Sequence, residues 1–182
     1  MYTLGEIPRK GVRMYRDKVA LVFEGRSITY KELDDRVNRL ANALIGLGME
    51  RGGRVTILAD NSHKYMEIYF AAAKAGLSVT PLNVRLADKE IAYIANDCEA
   101  TVCFVGDGLE ERCISLKDEL RGITHWISLD NRKDGYLFYE DLLKDASNVD
   151  PDIEVDETNW QFSCTQAGLR ASPKGSCCLT GT

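Results

Sequence analysis

Ala73-Lys74-Ala75-Gly76-Leu77-Ser78-Val79-Thr80-Pro81-Leu82-Asn83 is the stretch that decides how this chain folds. Ala73 and Leu77 continue a stripe that starts at Met66, Tyr69 and Phe70, the spacing of one helical face turned to a core. Gly76 enters the left-handed conformation at little steric cost, so the helix stops there. Residues 78–81 then read as a β-strand whose exit is stiffened by Pro81. A helix that ends on a glycine and turns at once into a strand is the second half of a strand-helix-strand unit.

Working upstream, residues 54–59 (Arg54-Val55-Thr56-Ile57-Leu58-Ala59) form a short apolar run between turn signals and read as the buried first strand of that unit. Asn61 or Ser62 can cap the helix that follows. Further back, residues 18–23 suit a strand, Glu24-Gly25-Arg26 a turn, and residues 27–28 a second extended piece, which together predict a hairpin. Thr29 and Glu32 have the spacing of a capping box, and Leu33, Val37, Leu40, Ala41 and Leu44 then recur at helical spacing until Gly46-Leu47-Gly48. Downstream, the pattern predicts a helix over 88–96 with Ile91, Ile94 and Ala95 inward, a strand over 101–105 and a helix over 109–120. A strand over 125–129 and a helix over 136–144 follow. Strands alternating with helices across short loops predict an α/β layered fold, a largely parallel sheet flanked by helices. Residues 1–160 are expected to form this one α/β unit, with an acidic linker at 150–157 and a tail of different character at 161–182, expected to be disordered.

With 182 residues, 45% of them hydrophobic and 28% charged, the chain can bury a core as one globular domain. A net charge of -5 supplies no basic field for nucleic acid or an anionic membrane surface. Nowhere do the roughly 18 consecutive apolar residues of a membrane span occur, and the N-terminal stretch has no apolar signal segment, so the cytoplasm is the expected location. Cys98, Cys103 and Cys113 fall within regular elements and read as core thiols, while Cys164, Cys177 and Cys178 lie in the tail and no CxxC pair is present.

Few residues offer chemistry. His63 and His125 have no third partner at ligand or triad spacing and read as structural. The acidic run 150–157 reads as a solvated linker ahead of a metal site. Gly106-Asp107-Gly108 follows a strand as a nucleotide-binding turn does, but lacks the third glycine. Two alternatives therefore stand beside the main reading developed next: a non-enzymatic α/β module that binds a protein partner, and a nucleotide binder that uses Gly106 and Gly108.

Ile28-Thr29-Tyr30-Lys31-Glu32-Leu33 resembles the first core motif of the adenylate-forming superfamily, L-[TS]-Y-x-E-L. Residues 73–83 resemble that family's helix-glycine-strand-proline segment, at the expected distance. With Leu47-Gly48, Gly53-Arg54-Val55 and Asn61-Ser62, the similarity covers residues 12–160, and the chain resembles the N-terminal part of an AMP-forming acyl-CoA synthetase. The resemblance implies a parent that activates a carboxylic acid with ATP and Mg2+ to an acyl-adenylate and then transfers the acyl group to coenzyme A. It implies a small-molecule acid, ATP and CoA as that parent's partners.

The family's phosphate-wrapping motif, Y-T-S-G-T-T-G-x-P-K-G, would stand where this chain reads Phe162-Ser163-Cys164-Thr165-Gln166-Ala167-Gly168-Leu169-Arg170-Ala171-Ser172-Pro173-Lys174-Gly175. New codons built from the last base of each codon and the first two of the next permit Tyr at the Cys164-Thr165 junction. The following junctions permit the rest of the motif, and from Ser172 onward they permit P-K-G-V-M-L-S-H-R-N. Each junction admits only a handful of residue types, yet the motif passes every one. A one-nucleotide frameshift between about Glu157 and Cys164 is therefore expected. Lys174 is then an out-of-frame residue and no phosphate ligand, and Cys177-Cys178 is no redox pair. No catalytic, cofactor-binding or metal-binding residue is expected in the chain, which should be inactive alone and should self-associate through uncovered apolar surface. Sequencing the gene through codons 157–182 checks the shift. The junction bases are expected to spell the motif, and bases that break it would contradict the shifted frame.

Overall fold

The apolar run Val55, Ile57 and Leu58 makes β3 (Arg54–Leu58) an interior strand of the sheet, buried along all but its first residue. The computed structural model describes residues 4–153. The tail at 161–182 and the shifted reading frame lie outside the described residues. A short turn at Leu4–Glu6 leads into α1 (Ile7–Tyr15), followed by the hairpin β1 (Val19–Phe23) and β2 (Arg26–Thr29) and by α2 (Tyr30–Gly46). After β3 come α3 (His63–Lys74), β4 (Ser78–Leu82), α4 (Asp88–Asp97), β5 (Val102–Val105) and α5 (Glu110–Leu116). β6 (His125–Ser128), β7 (Leu137–Phe138) and α6 (Tyr139–Asp145) complete the described residues.

β3 to β7 form one sheet in the order β4-β3-β5-β6-β7, every neighbouring pair parallel. Successive side chains alternate across it. Val55, Ile57, Val79, Val102, Phe104 and Ile127 pack with α2, α3 and α6 on one face. Leu58, Leu82, Cys103, Val105 and Trp126 pack with α4 and α5 on the other. The α/β layered expectation is met, and the sheet is fully parallel.

The decisive stretch folds as its residues dictate. Gly76 has φ +71°, its N–H donates to the Ala73 carbonyl at 3.3 Å, and Leu77 N–H donates to Ala72 at 2.8 Å. These paired bonds close the end of α3 in the manner glycine permits. Pro81 stands within β4, opposite Ile57, rather than at its exit. It is tolerated because β4 is an edge strand among the described residues, so its missing N–H breaks no ladder.

Several expectations need correction. α1 was not foreseen, because it packs through small residues instead of an apolar stripe: a Cβ on Gly11 would lie 2.0 Å from the Tyr30 ring. Only half of the capping box forms. Thr29 Oγ1 accepts from Glu32 N–H at 3.2 Å, but the Glu32 carboxylate accepts from Arg26 at 2.6 Å instead of turning back. Phe70, Ala73 and Leu77 of the expected stripe are buried, but Met66 is 41% exposed, and Glu67 and Ile68 are fully buried in its place. Leu137 and Phe138 extend the sheet beside β6 before the helix begins at Tyr139. α5 covers only Glu110–Leu116 of the helix expected over 109–120.

Phe104 is fully buried in β5 and meets the Tyr139 ring edge-on, centroids 6.4 Å apart. Phe104→Ala is expected to lower unfolding free energy by about 3–5 kcal/mol, read from urea denaturation. The exposed control Val149→Ala is expected to change it by less than about 0.5 kcal/mol.

Candidate functional site

In an open parallel sheet, ligands enter where successive crossovers leave on opposite faces, beyond the carboxyl ends of the strands. Here that point lies between β3, which is followed by α3 on one face, and β5, which is followed by α5 on the other. Gly106 sits at this point, but its missing side chain serves packing. A Cβ there would lie 2.9 Å from Ala59 Cβ and 3.1 Å from Ala59 Cα, so the two loops already touch. Gly108, at φ +75°, supplies the turn. Asp107 N–H donates to Asp130 Oδ2 at 3.1 Å, and Asp107 Oδ1 accepts from Asn131 at 2.7 Å. Lys64 Nζ donates to the Leu129 carbonyl at 2.6 Å and to Asp130 Oδ1 at 2.9 Å. Carboxylates therefore line this turn, and Gly106 serves the packing of its two loops.

The most developed polar site lies between helices. Glu67 is fully buried in the middle of α3. Arg36 of α2 donates from Nε to Glu67 Oε1 at 2.8 Å and grips Glu140 of α6 with both terminal nitrogens, at 3.0 and 2.8 Å. Tyr139 donates its hydroxyl to Glu67 Oε2 at 2.7 Å. Burial works against the Arg36 charge, but hydrogen bonds to Glu140 and Glu67 outweigh it and hold the guanidinium above its ordinary value. Burial, reinforced by Glu67, pushes the Tyr139 phenol well above its ordinary value, so it remains a donor. The Glu140 carboxyl falls below its usual range because the Arg36 bonds outweigh its burial.

A second cluster surrounds Lys74, the lysine of the decisive stretch. Its ammonium donates to Asn38 Oδ1 at 2.5 Å, to Asp150 Oδ2 at 3.0 Å and to Asp34 Oδ1 at 3.4 Å. Asp150, read from sequence as part of a solvated linker, is thus an anchor, and Arg9 approaches it at 3.6 Å. The remainder of the acidic run, from residue 154, lies outside the described residues.

His63 opens α3 with neither ring nitrogen hydrogen-bonded, its ring 5.6 Å from that of Phe23. Burial lowers its pKa below 6.5, with Glu67 opposing and Arg26, Arg36 and Lys64 assisting. The His125 ring contacts Thr124 Oγ1 at 2.9 Å. Contact with Cys113 and burial push the Cys103 thiol well above its ordinary value, which leaves it protonated and inert, and Cys98 is raised by burial. Among the described residues no group of three His, Cys, Asp or Glu side chains is placed to hold a metal ion. No helix among them is long and apolar enough to cross a membrane.

Sequence reading placed no functional residue in the described region, and it missed Arg36, Glu67, Tyr139 and Lys74 as a structural set. Glu67 carried a signal: a carboxylate flanked by apolar residues on a helix whose next position, Ile68, is core. The arrangement can position helices and hold a proton on Tyr139. It presents no nucleophile beside a base.

A parallel five-stranded sheet with helices on both faces, three of them joined by ion pairs, defines the class, an α/β layered unit. The chain belongs to the AMP-binding enzyme family, whose profile matches residues 9–165. It is 34% identical over 148 residues to a long-chain-fatty-acid–CoA ligase of Thermus thermophilus, covering 81% of this chain and 27% of that protein. It is 31% identical over 160 residues to an indoleacetate–CoA ligase of Aromatoleum aromaticum, covering 87% of this chain and 31% of that one. Among solved structures, the N-terminal domain of FACL13 from Mycobacterium tuberculosis superposes with a TM-score of 0.79 at 25% identity, over 88% of this chain and 41% of that one. An anthranilate CoA ligase in complex with anthranoyl-AMP superposes with a TM-score of 0.78 at 25% identity, over 85% of this chain and 30% of that one. The chain thus spans 27–31% of the length of the two ligases it matches by sequence.

Arg36→Ala leaves Glu67 buried without its cation and is expected to cost about 3–5 kcal/mol in unfolding free energy. Arg132→Ala, at an exposed pair with Asp141, is expected to cost less than about 1 kcal/mol. His63 gives a pH test. Its depressed pKa means the unfolded chain takes up a proton first as pH falls below 6.5, so stability present above that value is lost toward the lower folded pKa. His63→Leu is expected to flatten the unfolding midpoint across that window, and an unchanged slope would contradict the assignment.

Proposed function

We propose that the described residues are the N-terminal scaffold of an AMP-forming acid–thiol ligase. The whole protein would activate a carboxylic acid with ATP and Mg2+ to an acyl-adenylate, release pyrophosphate and pass the acyl group to coenzyme A. The observation that carries this reading is the family match over residues 9–165, together with the acid–CoA ligases among the relatives. Catalysis of this kind rests on orienting a carboxylate against a phosphate and stabilising the charge that develops. The described residues supply none of those donors. The segment in which the phosphate-wrapping motif would lie reads Cys164-Thr165-Gln166-Ala167-Gly168 instead, and the family match ends at residue 165. We therefore assign the 182-residue polypeptide the role of a non-catalytic scaffold, carrying a frameshift ahead of its triphosphate loop. Use of ATP and the free, buried thiols of Cys98, Cys103 and Cys113 suit a cytoplasmic location.

The test compares the purified chain with the product of a gene whose frame is restored ahead of codon 164. Acid-dependent exchange of pyrophosphate into ATP is expected from the restored protein and absent from the 182-residue chain. Exchange by the latter, or none by the former with any carboxylic acid of a broad panel, would overturn the reading.

A further inference from the structure

The hairpin of β1 and β2 has no ladder to the five-stranded sheet, so side chains alone dock it on the helices. Its base is well seated: Ile28 is fully buried, and Ala20 and Leu21 pack against the same core. Its tip rests on less. Glu24 and Gly25 turn the chain at φ 48° and 78° and are exposed. Arg26 reaches Glu32 at 2.6 Å, an exposed pair of small worth in water. Beneath the tip the half-buried Phe23 ring meets the ring of His63, centroids 5.6 Å apart and planes tilted by 47°.

Both ring nitrogens of His63 are shut away from water, and among the described residues neither has a hydrogen-bond partner. The neutral ring offers Phe23 a nearly apolar surface. A protonated ring carries two donors and a charge, which burial without a partner penalises heavily. The charges that face it give no relief. Glu67, one turn further along α3, is the facing carboxylate, but its Oε1 accepts from Arg36 at 2.8 Å and its Oε2 from Tyr139 at 2.7 Å. Arg26 of β2, Arg36 of α2 and Lys64 of α3 all oppose a positive charge there, and burial opposes it more than any of them. Arg36 is tied to Glu140, and Lys64 to the Leu129 carbonyl and Asp130, which holds both cations near the ring. A protonated His63 therefore gains by turning out to water, and in doing so it withdraws the surface on which Phe23 rests.

We propose that His63 is a proton-operated latch: neutral, it seats the hairpin tip at residues 23–26 against the start of α3, and on taking a proton it turns out and lets the tip lift. The movement is local, because the base of the hairpin rests on Ile28, Ala20 and Leu21, which take no proton. It is thus distinct from the loss of global stability that the same group produces. His63 opens α3 directly after residues 59–62, and Ala59 of that loop is the residue that touches Gly106 where β3 and β5 diverge. The latch therefore sits beside the sheet's point of entry. The inference is independent of the proposed reaction, since it concerns a protonation and is read without substrate.

The test is an NMR pH titration of the full chain, which follows the His63 imidazole and the ring-to-ring nuclear Overhauser effects together. The lifted form regains the ordinary value of 6.5 while the closed form titrates lower, so the lifted fraction grows as pH falls below 6.5. The Phe23–His63 effect is expected to be lost in step with protonation of His63, with half of it gone at the His63 midpoint, which should lie below 6.5. The Phe104–Tyr139 effect in the core is expected to persist over the same range. A Phe23–His63 contact that survives protonation, a midpoint at the ordinary value, or loss of the Phe104–Tyr139 contact at the same pH would each overturn the proposal. These readings need no variant. His63→Phe keeps a ring under Phe23 and takes no proton, so the acid shift of the Phe23 resonances is expected to vanish in it, whereas His125→Gln is expected to retain that shift. An undiminished shift in His63→Phe, or its loss in His125→Gln, would also overturn the latch.

Discussion

A carboxylate with no exposure to water in the middle of a helix must be answered by a cation, and the arrangement of Glu67 and Arg36 is the constraint on which one whole face of this fold depends. An isolated buried charge would cost several kcal/mol, so α2 cannot slide along α3 without leaving Glu67 unpaired. Arg36 also grips Glu140 with two bonds, and Tyr139 fills the remaining lone pair of Glu67. One guanidinium therefore fixes three helices against the sheet. Lys74 repeats the device near the end of α3, where Asp34 and Asn38 of α2 meet Asp150 beyond α6. A half-buried arginine and a buried lysine key α2 to α3 at separated points, which fixes their rotation as well as their distance.

The opposite face has one partly exposed pair, Arg112 of α5 donating to Asp88 of α4 at 2.6 Å, and no buried carboxylate held by a cation. Leu58, Leu82, Val105 and Trp126 meet the apolar sides of α4 and α5, so that layer rests on shape and burial. Between the two layers lies the point where an open parallel sheet could admit a ligand, and there Gly106 lets two loops touch while Asp107 and Asp130 line the turn. This division suits the proposed role of a scaffold that presents its strand ends to chemistry contributed by other segments.

Local patterns in the sequence carried most of the fold. Short apolar runs on β3 and β5, the glycine after α3 and the threonine before α2 each act within a few residues, and each did what its chemistry requires. What escaped were effects of distance. Glu67 is 31 positions from Arg36, Tyr139 is 72 from Glu67, and Glu140 is 104 from Arg36, so no window reveals that a charged side chain on α3 faces inward while Met66 faces out. α1 escaped for a related reason: its contact surface is a glycine under the Tyr30 ring, and hydrophobic periodicity does not register an absent side chain. β7, with two residues, has no period to read. The candidate site was legible only in outline. The residues pointed to no catalytic set in the described region, but the polar clamp found there instead was invisible until the helices were placed beside each other.

The most direct measurement of the central claim, that this polypeptide is a scaffold without a triphosphate cradle, is equilibrium titration of the purified 182-residue chain with ATP and Mg2+. The account predicts no saturable binding at nucleotide concentrations that saturate the frame-restored protein. Stoichiometric, saturable binding by the 182-residue chain would contradict it.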